Sequence, residues 1–284
     1  MNTVRKPALL TIISASPKEP WYSNIVRSYE SIPKDFLSPG IRYGHTFDSV
    51  MINAPMYLDW LFAKAQSLGA ITIKEALPSK ANLSDTLNAA TNIFTKHLTS
   101  SGLAKVSQVL AFVNATGISA HELVPDPNVY PARGQTVTVA GEASQITTVE
   151  AYASENTSSG TPIMYILPRP HSNTTILGGT KEVGNWSAEP DDGTTEEILQ
   201  RAKEWAPELL NKNGEFEVLS VQVGLRPARR GGVRVEIVNV EGYIVCHAYG
   251  HAGAGYQNSV GSANKVVRLF DEWFNRTEGE KEKV

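Results

Sequence analysis

The segment Tyr243-Ile-Val-Cys-His-Ala-Tyr-Gly-His-Ala-Gly-Ala-Gly-Tyr256 constrains the fold more than any other stretch of the chain. An apolar, strand-like run stops at clustered glycines and passes directly into a helical pattern from about Gln257 to Phe274. Such a strand–turn–helix unit aims several unpaired backbone N–H groups at one point, and the helix dipole adds partial positive charge there. The unit suits an anion, a phosphate or a flat ring, and glycines allow close approach to the backbone. Read as a dinucleotide fingerprint it fails, because Gly253-Ala-Gly255-Tyr-Gln-Asn258 lacks the last glycine and no second βα unit follows. On pattern alone, a ligand-facing turn and an ordinary tight turn both stay open.

The rest of the chain is read around that unit. Pro17, Pro20, Pro33 and Pro39 predict loops with short helical pieces in the first fifty residues. Ala54 to Ala70 predicts a helix, with Pro55 in its first turn, Tyr57, Leu58, Leu61, Phe62 and Ala65 as an apolar stripe, and Gly69 at its end. A second helix is expected at Ser84 to Leu98, then a doubly buried strand at Val106 to Asn114. Short strands follow at Thr136–Val139, Ile146–Val149, Ile163–Leu167 and Thr174–Leu177, a helix at Thr195–Leu210, and strands at Leu219–Gly224, Val233–Val238 and Tyr243–Cys246. The expected class is mixed α/β: an incomplete Rossmann-like domain (50–135 and 230–284) intertwined with a β-rich domain (20–49 and 136–229), after an irregular stretch over 1–19.

A net charge of −3, spread along 284 residues, argues against nucleic-acid or membrane-surface binding by bulk charge. No apolar run approaches the roughly 18 residues of a membrane span. The one cysteine, Cys246, excludes an internal disulfide and suits a reducing compartment, so a cytoplasmic location is expected; the C-terminus is not a peroxisomal Ser-Lys-Leu. His247 and His251 share an i,i+4 spacing but straddle a glycine turn without a carboxylate, and no nucleophile elbow is present. Metal hydrolysis and acyl transfer therefore recede. Gly224-Leu-Arg226-Pro227 places a guanidinium at a strand end, suited to a bidentate grip on a carboxylate, though a solvated arginine or one paired with Glu236 reads the same. Tyr165 mid-strand and Lys181 after a glycine turn have ordinary readings as packing and surface residues.

Taken in order over residues 40–272, eight pieces resemble the D-amino acid oxidase family, which includes D-aspartate oxidase. They are Asn53-Ala-Pro-Met-Tyr-Leu58, Val113-Asn-Ala-Thr-Gly117, Arg133-Gly-Gln135, Tyr165-Ile-Leu-Pro168, Gly178-Gly-Thr180, Gly184-Asn-Trp186, Gly224-Leu-Arg-Pro227 and His247 to Ser262. The resemblance implies non-covalent FAD and oxidation of a D-amino acid to its imino acid, with O₂ taking the electrons to give H₂O₂. It implies that Arg226 and the Tyr165 hydroxyl bind the substrate carboxylate and that the Gly253 carbonyl accepts from its amine. Gly255, Tyr256 and Gln257 would lie near the pyrimidine end of the flavin, where a helix tip stabilises negative charge on reduction. Asn114, Thr116 and Gly117 would lie along FAD, and Arg133, Gly134 and Gln135 near the flavin. Lys181, where the neutral-substrate oxidases often carry tyrosine and the D-aspartate oxidases arginine, leans towards acidic D-amino acids. A homodimer is the assembly allowed for.

One departure stands out. Family members open with a strand, Gly-x-Gly-x-x-Gly and a helix, whereas here Met1 to Asn24 holds no glycine and the first is Gly40. Roughly the first third of the family pattern is then missing, which predicts weak or absent FAD binding, an exposed strand edge and poor solubility. A carboxylate-binding remnant without cofactor is therefore the alternative to an oxidase, with an oxidase of glycine or small amines behind both.

Overall fold

The computed structural model describes residues 5–14, 19–37, 41, 43–100, 109–149 and 163–281. Its elements run β1 (Arg5–Ser14), β2 (Arg27–Ser31), β3 (Tyr43–Ile52), α1 (Ala54–Ser67), α2 (Leu83–Ser100), β4 (Phe112–Asn114), α3 (Ala120–Leu123), β5 (Val129–Ala140), β6 (Ile146–Val149), β7 (Met164–Arg169) and β8 (Thr174–Gly178). They continue as β9 (Glu182–Val183), α4 (Asp192–Trp205), β10 (Val218–Arg229), β11 (Arg234–Val240), β12 (Tyr243–Tyr249) and α5 (Gly255–Lys281). The class is mixed α/β, as expected. The chain divides into two compact units, residues 1–70 with 133–224 and residues 71–132 with 225–284.

The first unit is built on a nine-stranded sheet in the order β10-β5-β8-β7-β6-β1-β3-β2, with β9 on β5. The pairs β1–β3, β2–β3, β5–β8, β6–β7 and β7–β8 are antiparallel, and β1–β6 is parallel. Alternation along β5, β7 and β8 turns Val137, Val139, Met164, Ile166 and Leu177 to one face. There α4 lays Ile198 and Ala202 on β7 and β8, with Ala206 just beyond its end. Asp191 caps α4 by accepting from Thr194 N at 2.7 Å. Pro207 stops that helix at Trp205 and leaves a 3₁₀ turn to Leu209, short of the expected Leu210. Asn53 caps α1 and donates its amide to Pro170 O at 2.8 Å. The apolar stripe of α1 is not a core face, since Leu58, Leu61 and Phe62 are exposed.

The N-terminal reading is corrected: 5–14 is a strand, not irregular chain, and 27–31 and 43–52 are strands rather than helical pieces. Pro20 and Pro33 lie outside strands, whereas Pro17 and Pro39 fall outside the described residues; β1 is specified by long-range pairing, with Leu9 opposite Asp48 and Ile12 opposite Thr148.

In the second unit β12 lies between β11, antiparallel, and β4, parallel. One face carries Val235 and Cys246 against Val266, Leu269 and Phe270 of α5. The other carries Tyr249 against Ala120 and Val129. The expected buried strand 106–114 is also corrected. Residues 106–108 lie outside the described residues, β4 has three residues, and Leu110 and Val113 are 73% and 54% exposed. An apolar run alone does not distinguish a two-sided strand from one at a sheet edge. Among the described residues no helix is long and apolar enough to cross a membrane.

Candidate functional site

In the second unit the parallel strands β4 and β12 end side by side, with Asn114 in register with His247. Asn114 Oδ1 accepts from Thr116 N at 3.2 Å and Thr116 Oγ1 at 2.8 Å. Its amide nitrogen must then be the donor to His247 Nδ1, 3.0 Å away. That assigns the neutral imidazole proton to Nε2, which is buried and has no hydrogen-bond partner among the described residues. Burial first, then the positive charge of Arg234, pushes the His247 pKa down to about 4. Gly117 follows at φ +61°, and a Cβ there would lie 3.7 Å from Pro227 Cγ.

Pro227 belongs to β10, which runs past Gly224 so that Arg226 sits within the strand rather than at its end. Arg226 is half-buried, and its Nη1 approaches Ala132 O at 3.4 Å. A Cβ on Gly253 would lie 3.7 Å from Arg226 Cδ. A β-bridge between Ala228 and His251 ties this part of β10 to the glycine turn. His251 Nε2 meets Ser262 Oγ at 2.7 Å, fixing the turn to α5. Gly250 is obligatory, since it has φ +90° and a Cβ would fall 2.9 Å from Arg229 Cβ. The strand-to-helix turn thus sets Arg226, Gly253 and the exposed first turn of α5 (Gly255, Tyr256, Gln257) together, beside Gly117.

Sequence reasoning missed the support beneath. Asp126, 5% exposed, accepts from Arg229 Nε at 2.8 Å, Tyr249 Oη at 2.8 Å and Asn128 N at 3.0 Å. Burial alone would raise its carboxyl pKa, but these three donors together hold it down at about 2. The only local signal is a turn-like Asp126-Pro-Asn128, which says nothing of partners 100 residues away.

The first unit holds the remaining predicted residues. Tyr165 is half-buried on β7, packed over Gly178 and Gly179. Lys181 is exposed, two residues beyond Gly179, and no acidic partner pairs with it among the described residues. Arg133 and Gln135 are buried and occupied with their own unit. Arg133 pairs with Glu182 and donates to Ser187 O at 3.0 Å and Glu189 O at 2.6 Å. Gln135 donates to Asp191 O at 2.7 Å and Thr195 Oγ1 at 2.8 Å, and accepts from Asp191 N at 2.8 Å. What these two side chains hold is the 182–191 loop and the start of α4. Among the described residues no group of three or more His, Cys, Asp or Glu side chains could hold a metal ion.

The residues present can be tested against FAD. An exposed helix start, an unsubstituted Gly253 and the Asn114–Gly117 turn fit the flavin end of such a group. No Gly-x-Gly-x-x-Gly occurs anywhere in the sequence to cradle a pyrophosphate.

Comparison with known proteins follows the same lines. Residues 25–269 match the family model described as FAD dependent oxidoreductase. A D-amino-acid oxidase of Fusarium vanettenii is 37% identical over 261 residues, covering 90% of this chain and 66% of that protein. A D-amino-acid oxidase of Schizosaccharomyces pombe is 32% identical over 254 residues, covering 87% and 66%. The chain thus spans about two thirds of the length of these curated relatives. Among solved structures, glycine oxidase from Geobacillus kaustophilus superposes with a TM-score of 0.66 at 17% identity, over 93% of this chain and 71% of that one. Iminodiacetate oxidase from Chelativorans sp. BNC1 gives 0.66 at 13%, over 94% and 73%. At such identities the structures show a shared fold.

Proposed function

The chain belongs to the FAD dependent oxidoreductase family, and from that premise we propose that it serves a flavin-dependent oxidase of D-amino acids, with O₂ as the electron acceptor. The observation that carries this reading is the juxtaposition of Arg226 with Gly253 at the opening of α5. FAD, when bound, supplies the acceptor for the hydride leaving the substrate Cα. The chain's own residues bind and orient. The Arg226 guanidinium takes the α-carboxylate through two parallel N–H donors. The Gly253 carbonyl, beside it, accepts from the amine, and two fixed points on the substrate decide which Cα–H is presented. The resemblance also gives the Tyr165 hydroxyl, in the first unit, a carboxylate-binding role. Gly255, Tyr256 and Gln257 offer the positive end of α5 to charge that develops on the flavin. Asn114, Thr116 and Gly117 in the second unit, and Arg133, Gly134 and Gln135 in the first, are the residues that the resemblance assigns to the cofactor.

The test is a visible spectrum of the purified chain after incubation with FAD. The expected result is a yellow protein that bleaches when a D-amino acid is added without oxygen. A colourless protein that takes up no FAD would favour the carboxylate-binding remnant.

The finer proposal concerns the side chain. Lys181, exposed and without an acidic partner among the described residues, offers a cation to a second carboxylate. Kinetics on D-aspartate, D-alanine and D-serine should show Lys181→Ala losing about tenfold in kcat/KM on D-aspartate alone. Unchanged preference would remove the acidic reading.

A further inference from the structure

Burial alternates along β7, so Met164 and Ile166 enter the core while Tyr165 stands on the opposite face. Across the sheet Tyr165 is in register with Gly178 on β8 and Thr148 on β6. Directly opposed residues normally bring their side chains together on one face. Here the partner has none, and the ring of Tyr165 fills that space. A Cβ on Gly178 would overlap Cε2 and Cζ of the ring and come 2.7 Å from its hydroxyl. On Gly179 a Cβ would fall 2.5 Å from the hydroxyl oxygen and 2.8 Å from Cζ. Both glycines are buried, so the backbone beneath the ring has little room to yield.

We propose that Gly178 and Gly179 are positioning residues. They form a bare backbone seat that fixes the Tyr165 ring and with it the direction of its hydroxyl. The role in substrate binding rests on the reading of Tyr165 as a carboxylate donor; the seat itself rests on the register and the close approach. A donor held in one place binds a carboxylate better than one that must first be ordered. Any side chain at 178 lifts the phenol away, whereas removing the ring makes the same side chain harmless.

The test is a cycle of the unsubstituted chain, Gly178→Ala, Tyr165→Ala and the double variant, each loaded with FAD, with Tyr165→Leu as a second ring-free background should the alanine variant fail to fold. Gly178→Ala alone should lower Tm by about 4 °C, and in either ring-free background by less than about 1 °C. KM for D-alanine should rise about tenfold in Gly178→Ala with kcat held, and no further in the double variant than in Tyr165→Ala. Additive Tm shifts would overturn the seat, whatever the activity. Coupled Tm shifts with KM unmoved in Gly178→Ala would keep the contact and overturn its part in binding. Turnover of no D-amino acid by the unsubstituted chain would overturn the substrate reading and the positioning role, and leave the Tm cycle to decide the seat alone.

Discussion

Arg226 lies between Ala132, whose carbonyl its Nη1 approaches at 3.4 Å, and the glycine turn, where a Cβ on Gly253 would meet its Cδ at 3.7 Å. Lysine at this position would keep the charge and lose the planar fork, so the two reactions to substitution differ. Arg226→Ala is expected to lower kcat/KM for a D-amino acid at least about 100-fold, and Arg226→Lys to recover less than tenfold of that. Steady-state kinetics of the two variants measure it, and full recovery by lysine would mean that charge alone suffices. Gly224-Leu-Arg226-Pro227 drew notice at a strand, but only the family resemblance separated Arg226 from a solvated arginine. Asp126 could not, since its value lies in Arg229 and Tyr249, brought to it by folding. Gly178 and Gly179 were visible as a turn, but their contact with Tyr165 exists only once β7 and β8 are in register.

Elements with a local signature were readable, and those defined by a distant partner were not. α1 announced itself through Pro55 and Gly69 and α4 through a helical pattern over Thr195–Leu210, while their caps, Asn53 and Asp191, are seen in the structure. By contrast β1 depends on β3 and β6 for its state, and Val106–Asn114 read as buried although β4 is brief and its Val113 exposed. Arg133 shows the same limit from the other direction: nothing local in Arg-Gly-Gln announces that the side chain reaches nearly fifty residues on to Glu182 and the loop after it. Its removal tests that role at the level of an element. Arg133→Met should cost about 3 kcal/mol, because Glu182 is left without its cation and two carbonyls without donors. Urea unfolding gives the stability, and limited proteolysis should show new cleavage within residues 182–191. Wild-type stability with lost FAD affinity would return Arg133 to the cofactor.

Across the molecule as a whole, histidines kept neutral by burial set the response to acid. His45 in one unit and His247 and His251 in the other all have pKa values lowered by burial, His247 to about 4 with a further push from Arg234. An unfolded chain protonates these rings near pH 6.5, so between about pH 6.5 and 4 it binds more protons than the folded one, and stability falls as pH falls. Above pH 6.5 the contribution is complete; for His247 alone the loss approaches about 3 kcal/mol by pH 4. Asp126 acts lower, because its folded pKa of about 2 lies under the ordinary value of 3.8, so its contribution holds above pH 3.8 and disappears towards pH 2. The acid limb should therefore have two stages, the first carried by imidazoles and the second by a carboxylate. His247→Gln separates them, since glutamine can still accept from the Asn114 amide but cannot titrate. Thermal unfolding from pH 7.5 to 4.5 should show Tm of the unsubstituted chain falling steeply below pH 6.5 and that of His247→Gln falling less. Parallel curves would mean that His247 takes up its proton in the folded protein as readily as in the unfolded one, and that its buried Nε2 meets an acceptor the described residues do not provide.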